Sequence, residues 1–152
     1  MALNTLEKLY KKLCSEFIDN STIHHFTETL KKYNGTDWKT KVVFTENKYN
    51  RIKLFSNKNF EVYLICWLEN QESRIHNHPE QGCVLKLLEG SLEEQLFFKE
   101  DENLRKYREK NILLNTVSYT HDIFGFHKIK ANENSVSIHV YSPPDFAPTF
   151  FN

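Results

Sequence analysis

The chain has 152 residues, and its 20 basic and 20 acidic side chains cancel when the 7 histidines are counted neutral. That length supports one domain with a substantial core rather than two, and the charge balance provides no field to draw nucleic acid or an anionic membrane surface. The opening MALNTLEKLYKKLCSEF has no apolar signal-type core, and no later run is long enough to cross a bilayer. A soluble, cytoplasmic monomer acting on small neutral or zwitterionic partners is the resulting expectation.

In chain order, Leu3, Leu6, Tyr10, Leu13 and Phe17 recur at helical spacing. Ile23, Phe26, Leu30 and Tyr33 repeat the pattern after Asn20 and Ser21, residue types suited to capping. The spacing predicts two amphipathic helices within about residues 1–34, closed by the turn signal Asn34-Gly35. From Val42 onward the period shortens to β-rich runs, among them RIKLF, FEVYLICWLE, CVLKLLE, SLEEQLFF and SVSIHVYS, separated by Asn, Gly and charged turns. Such runs predict a mainly β, antiparallel sandwich or barrel over about 38–145, within a single domain spanning 1–152. The charged stretch Glu100 to Lys110 reads as a solvated loop or hairpin tip. Cys14, Cys66 and Cys83 are an odd set at scattered spacing, neither a disulfide framework nor a zinc-finger pattern. Cys14, on the first helix, and Cys66, in an apolar strand, read as small core hydrophobes.

Chemistry concentrates in IHNHPEQGC, FGFH and SIHVYSPP. His76 and His78 stand two residues apart in strand-like surroundings, so both side chains leave one face and can grip one ion. A third nitrogen, from His127, has to arrive from a distant strand. Three imidazoles suit zinc, iron, copper or nickel on donor preference alone. His24, His25 and His121 match no ligand spacing, and Asn77 reads as a turn or sheet-surface residue.

From His76 the chain reads His-x-His, four residues, Cys83, six residues, Gly90, which resembles the first cupin motif with cysteine in place of its usual glutamate. Tyr49-x-Arg51 lies upstream, Cys66-Trp67 just before the motif, Gly125-x-His127 after it, and Ser137-x-His139-x-Tyr141-Ser142-Pro143-Pro144 near the end. In that order, over roughly Trp38 to Pro144, these motifs resemble the cysteine dioxygenases of the cupin superfamily. The resemblance implies a jelly-roll β-barrel and a non-haem Fe(2+) enzyme. It would convert L-cysteine and O2 to cysteine sulfinic acid, with cysteine chelating the iron through sulfur and amine.

By the same resemblance His76, His78 and His127 are the iron ligands. Arg51 binds the substrate carboxylate, a task suited to a planar, permanently charged fork, and its plain alternative is an exposed strand arginine. Tyr49, two positions earlier on the strand, flanks the substrate, and Trp67 forms an aromatic wall. Cys83 and Tyr141 match the pair that many relatives join by a thioether. Ser137, His139 and Tyr141 alternate on one strand face and hydrogen-bond in series; in the family this relay orients the tyrosine hydroxyl towards the substrate. The Ser-Pro-Pro motif resembles one that includes a cis peptide in relatives.

Some positions depart from the pattern. Asn70 replaces a usual glycine, and the second motif is longer by one residue between His127 and Asn132. The chain runs eight residues past Pro144, shorter than in animal members, which would leave the pocket more open. Two rival readings stand: a dioxygenase for another small thiol, 3-mercaptopropionate or cysteamine, and a non-catalytic metal-binding cupin serving as sensor or scaffold.

Overall fold

A computed structural model describes residues 2–152. Helix α1, Leu6–Glu16, begins where the Thr5 hydroxyl accepts from Lys8 N at 3.1 Å, and it buries Leu6, Leu9 and Leu13 on one face. Helix α2, Phe26–Lys32, starts after His25 without a side-chain cap. Asn20 and Ser21, expected as caps, lie in the preceding turn, where Asn20 has φ +56°. A 3-10 turn over Asp37–Lys41 then leads into ten strands.

The strands are β1 Asn50–Ser56, β2 Glu61–Trp67, β3 Ile75–His76, β4 Cys83–Glu89, β5 Leu92–Glu100, β6 Asn103–Ile112, β7 Val117–Thr120, β8 Phe126–Ala131, β9 Ser135–Tyr141 and β10 Phe150–Phe151. They form two antiparallel five-stranded sheets, ordered β1-β2-β9-β4-β7 and β10-β3-β8-β5-β6. The result is a jelly-roll-like sandwich rather than a closed barrel. Gly90 makes the turn from β4 to β5 at φ +89°, and a Cβ there would collide with Ser135.

β2 and β4 of the first sheet serve two cores, and β2 and β9, covered on both faces, read as nearly continuous buried runs rather than as alternating ones. Val62, Leu64, Cys66, Val84, Val136, Ile138 and Val140 face the helices and pack with Leu9, Leu13, Phe26 and Leu30. Ile65, Trp67, Leu85 and Leu87 face the opposite way and pack with Leu92, Ile112, Ile129 and Ala131 of the second sheet. The ends of that inter-sheet layer are polar, and the site lies there.

Two expectations change. Cys14 is exposed, because its phase on α1 turns it away from the Leu9 and Leu13 face, whereas Cys66 is buried as expected. Within Glu100 to Lys110 only Asp101 and Glu102 form a tip; Glu100 ends β5 and the remainder is the edge strand β6. Its charged, exposed side chains suit an unpaired sheet edge.

Candidate metal centre and its cavity

β3 and β8 bring the distant histidine to the local pair. His76 and His127 are register partners across these antiparallel strands, and their Nε2 atoms lie 3.0 Å apart. His78 follows β3, and its ring centroid is 4.3 Å from that of His127 and 5.9 Å from that of His76. The three imidazoles predicted from spacing are therefore gathered at one place.

Their hydrogen bonds dictate which nitrogen faces inward. Nδ1 of His76 meets the Arg74 carbonyl at 2.7 Å, Nδ1 of His78 meets Asp122 Oδ1 at 3.0 Å, and Nδ1 of His127 meets Glu94 Oε2 at 2.8 Å. A carbonyl or carboxylate oxygen accepts, so each Nδ1 carries a proton, and in a neutral ring so bonded Nε2 is the nitrogen left bare. Burial keeps His76 neutral, pushing its pKa down to about 4, and holds His127 well below the usual imidazole range.

Two bare nitrogens facing each other at 3.0 Å repel unless a cation lies beside both. Two ligands about 2.1 Å from one ion and at right angles to each other stand about 3.0 Å apart, which matches this pair. The third donor, His78 Nε2, is buried without a hydrogen-bond partner among the described residues. Among those residues no group of three His, Cys, Asp or Glu side chains stands at metal-binding spacing; within the trio the widest ring separation is that of His76 from His78, 5.9 Å. By donor type the three imidazoles His76, His78 and His127 suit a divalent transition metal.

The second face of the site is the β1-β2-β9-β4 sheet. A cavity of about 80 Å³ lies between the sheets, enough for a few waters or one small metabolite. His76, His127, Arg51, Tyr49, Trp67, Cys83, His139 and Tyr141 line it, whereas His78 and Ser137 lie behind. Tyr49 precedes β1 rather than lying in it, and stacks on Trp67 at 4.5 Å. Cys83 and Tyr141 are register partners on β4 and β9; burial pushes the Cys83 thiol up to about 12 and the Tyr141 phenol well above its usual range.

Behind the cavity runs a chain of hydrogen bonds. Trp67 Nε1 donates to Ser137 Oγ at 3.0 Å, Ser137 Oγ meets His139 Nε2 at 2.7 Å, and His139 Nδ1 meets the Tyr141 hydroxyl at 3.2 Å. Burial holds His139 well below the imidazole range, so it carries one proton and can pass it only along this line. Since Trp67 always donates, Ser137 is free to donate onward to His139, which then donates to Tyr141 and leaves the phenolic proton pointing into the cavity.

Several contributors were missed from sequence. Glu94 and Asp122 orient His127 and His78, Glu61 lines the cavity, and the Tyr63 ring lies against Arg51. Glu94 left a trace, because Leu92, Glu94 and Leu96 share the inward face of β5. Phe146, Pro148 and Phe150 form another wall, since the tail folds back and pairs Phe150 with His76. Asn77 supports this wall by accepting from Thr149 N at 2.7 Å. His24, His25 and His121 lie outside the cavity: His24 packs edge-on to Tyr119, while His25 and His121 meet the carbonyls of Glu16 and Glu80. The Ser142-Pro143 peptide is cis, and Asn70 has φ +72°, the conformation that favours glycine.

Fold and site together define a cupin sandwich with a histidine-lined cavity. Solved cupins share the fold: a cupin superfamily protein from Desulfitobacterium hafniense has a TM-score of 0.58 at 9% identity over 72% of this chain and 90% of its own. A double-stranded β-helix protein from Klebsiella pneumoniae has a TM-score of 0.59 at 12% identity, over 74% of this chain and 86% of its own. The family model for cysteine dioxygenase type I matches residues 2–150. Cysteine dioxygenase type 1 of Danio rerio is 34% identical over 95% of this chain and 77% of its own length, and that of Rattus norvegicus is 32% identical over 83% and 68%. The chain belongs to the cysteine dioxygenase type I family and is an enzyme of that class. Among the described residues no helix is long and apolar enough to cross a membrane.

Proposed function

We propose that the chain is a non-haem iron thiol dioxygenase that converts L-cysteine and O2 to cysteine sulfinic acid, working as a cytoplasmic monomer. The observation that supports this reading is the gathering of three imidazoles, each bonded through Nδ1, beside a cavity lined by a single arginine and the half-buried Tyr141. His76, His78 and His127 would hold Fe(2+), which would supply Lewis-acid and redox chemistry for cysteine, as a chelating amino-thiol, and O2. Three neutral donors leave the charge of a divalent ion uncompensated, which favours an anionic sulfur.

The remaining roles belong to the chain's own side chains. Arg51 provides a forked donor for the carboxylate, and the Tyr49 hydroxyl flanks it. Trp67, Ser137 and His139 hold the Tyr141 hydroxyl in the cavity, where it donates a hydrogen bond to the reacting end of the substrate. Cys83, beside Tyr141, limits the room on that side and is the thioether partner. The apolar walls from Trp67, Phe146 and Phe150 exclude water.

Metal analysis of the purified protein, with oxygen uptake and product identification over cysteine, 3-mercaptopropionate and cysteamine, tests metal, reaction and substrate together. The expected result is iron, one O2 consumed per cysteine, and sulfinate as product. His127→Ala should lose both iron and turnover. Cysteine left untouched by the iron-loaded protein in air would reject the proposal.

A further inference from the structure

Arg51 is the permanent cation of the cavity, yet no carboxylate pairs with it among the described residues. Its guanidinium carbon instead lies 4.4 Å from the centroid of the Tyr63 ring and 5.5 Å from that of Tyr141. The two rings meet edge to face at 5.8 Å. Strand register produces this arrangement: Tyr63 on β2 stands opposite Lys53 on β1 and His139 on β9, in the middle of the face that looks into the cavity. Arg51, two residues from Lys53, reaches the same ring diagonally.

Lys53 is the competing cation, 5.8 Å from the Tyr63 centroid. Its ammonium is drawn off by Glu61, whose buried carboxylate lies 3.5 Å away. The carboxylate that borders the cavity is thus engaged by lysine, and the arginine is left on aromatic faces.

We infer that Tyr63 is a positioning residue that sets specificity for carboxylate-bearing thiols, by holding the Arg51 guanidinium over the cavity through its ring. This inference rests on the proposed role of Arg51 as the carboxylate anchor. An ion pair would hold an arginine equally well but would occupy the N–H donors that the ligand needs. A ring face attracts the cation through its quadrupole and leaves the in-plane donors free. Arginine has many rotamers to lose on binding, so a guanidinium already seated on Tyr63 binds a carboxylate with a smaller entropic cost.

The test is calorimetric titration of iron-loaded protein, without oxygen, with L-cysteine and with cysteamine, which lacks the carboxylate. Tyr63→Leu and Tyr63→Met should each weaken cysteine binding by roughly 3–30-fold, the range of one cation–π contact, and leave the cysteamine Kd within about 2-fold. Tyr63→Phe keeps the ring and should restore cysteine affinity to near that of the parent. Equal weakening of both thiols, an unchanged cysteine Kd in the leucine and methionine variants, or a phenylalanine variant as weak as leucine would overturn the inference. Arg51→Gln separates its failure from that of the underlying reading. If Arg51→Gln spares the cysteine Kd, Arg51 is not the anchor; if it weakens cysteine alone while Tyr63→Leu does not, only the role of Tyr63 falls.

Discussion

Glu94 Oε2 accepts a hydrogen bond from His127 Nδ1 at 2.8 Å, between two side chains that are both shielded from solvent. The other oxygen of Glu94 has Lys110 Nζ at 3.4 Å. An outer carboxylate of this kind fixes the tautomer and the ring angle of the histidine, and it raises the basicity of the inward nitrogen. Glu94→Gln should therefore weaken metal retention by about 10–100-fold. Metal content after dialysis against graded chelator reads this directly, and retention equal to that of the parent would remove Glu94 from the support of the site.

Cys83 and Tyr141 lie side by side across β4 and β9. Burial pushes the Cys83 thiol up to about 12, so it is not ionised at neutral pH; joining the pair removes two hydrogens and for that reason needs an oxidant. In the thioether, sulfur bonds to a ring carbon, the S–H and one ring C–H are lost, and two electrons pass to dioxygen. Iron-loaded protein turning over cysteine in air should yield a linked Cys83–Tyr141 peptide lighter by two hydrogens, and Cys83→Ala should not. Peptide mass spectrometry showing both residues unmodified after many turnovers would leave the pair with a packing role alone.

Stability should depend on pH through the buried imidazoles. Burial lowers His76 from 6.5 to about 4 and holds His127 and His139 well below 6.5. Between the folded and unfolded values the unfolded chain binds more protons. The stability contributed by these groups is therefore present above 6.5 and is lost as pH falls through the window towards 4. Urea midpoints of the metal-free protein should be lower at about pH 5 than at about pH 7.5. A midpoint that does not change over that range would show that the imidazoles titrate normally.

Lys86 points from β4 to the helix side of the first sheet, where its ammonium donates to the carbonyls of Leu30 at 2.9 Å, Lys31 at 3.3 Å and Tyr33 at 2.5 Å. It thereby serves carbonyls at the C-terminal end of α2 and of its C-cap Tyr33, of which Leu30 O also accepts from Tyr33 N at 3.2 Å. Lys86→Met keeps the apolar stem and removes the side-chain donor of the Lys31 and Tyr33 carbonyls, at a cost of about 2–3 kcal/mol, or roughly 5–10 °C in Tm. Because this face is opposite the cavity, the cysteine Kd below the melting range should not change. A Tm within about 2 °C of the parent would mean that water or backbone relaxation serves the carbonyls equally well.

Much of this was legible along the chain. The helical period through Leu6, Tyr10 and Leu13, the β-rich runs after Val42 and the separation of His76 from His78 follow from local side-chain direction, which backbone geometry dictates within a few residues. The alternation of Ser137, His139 and Tyr141 held for the same reason, and the chain of hydrogen bonds runs through all three.

What spacing could not reveal depended on which strands meet. Nothing local distinguishes Glu94 from other strand carboxylates until β5 is placed beside β8, and nothing marks Tyr63 as the seat of Arg51 until β1 and β2 are in register. The tail became a cavity wall only because β10 pairs with β3. Cys14 is exposed because one position of helical phase separates it from the buried face.

By itself, then, the order of residues determined the element types, the motif histidines and the inward tyrosine relay, since these rest on interactions between near neighbours. Tertiary structure decided which nitrogen each histidine presents, what supports it, and what surrounds the arginine. Those outcomes depend on strand register between segments dozens of residues apart, where a shift of one residue would turn every side chain to the other face.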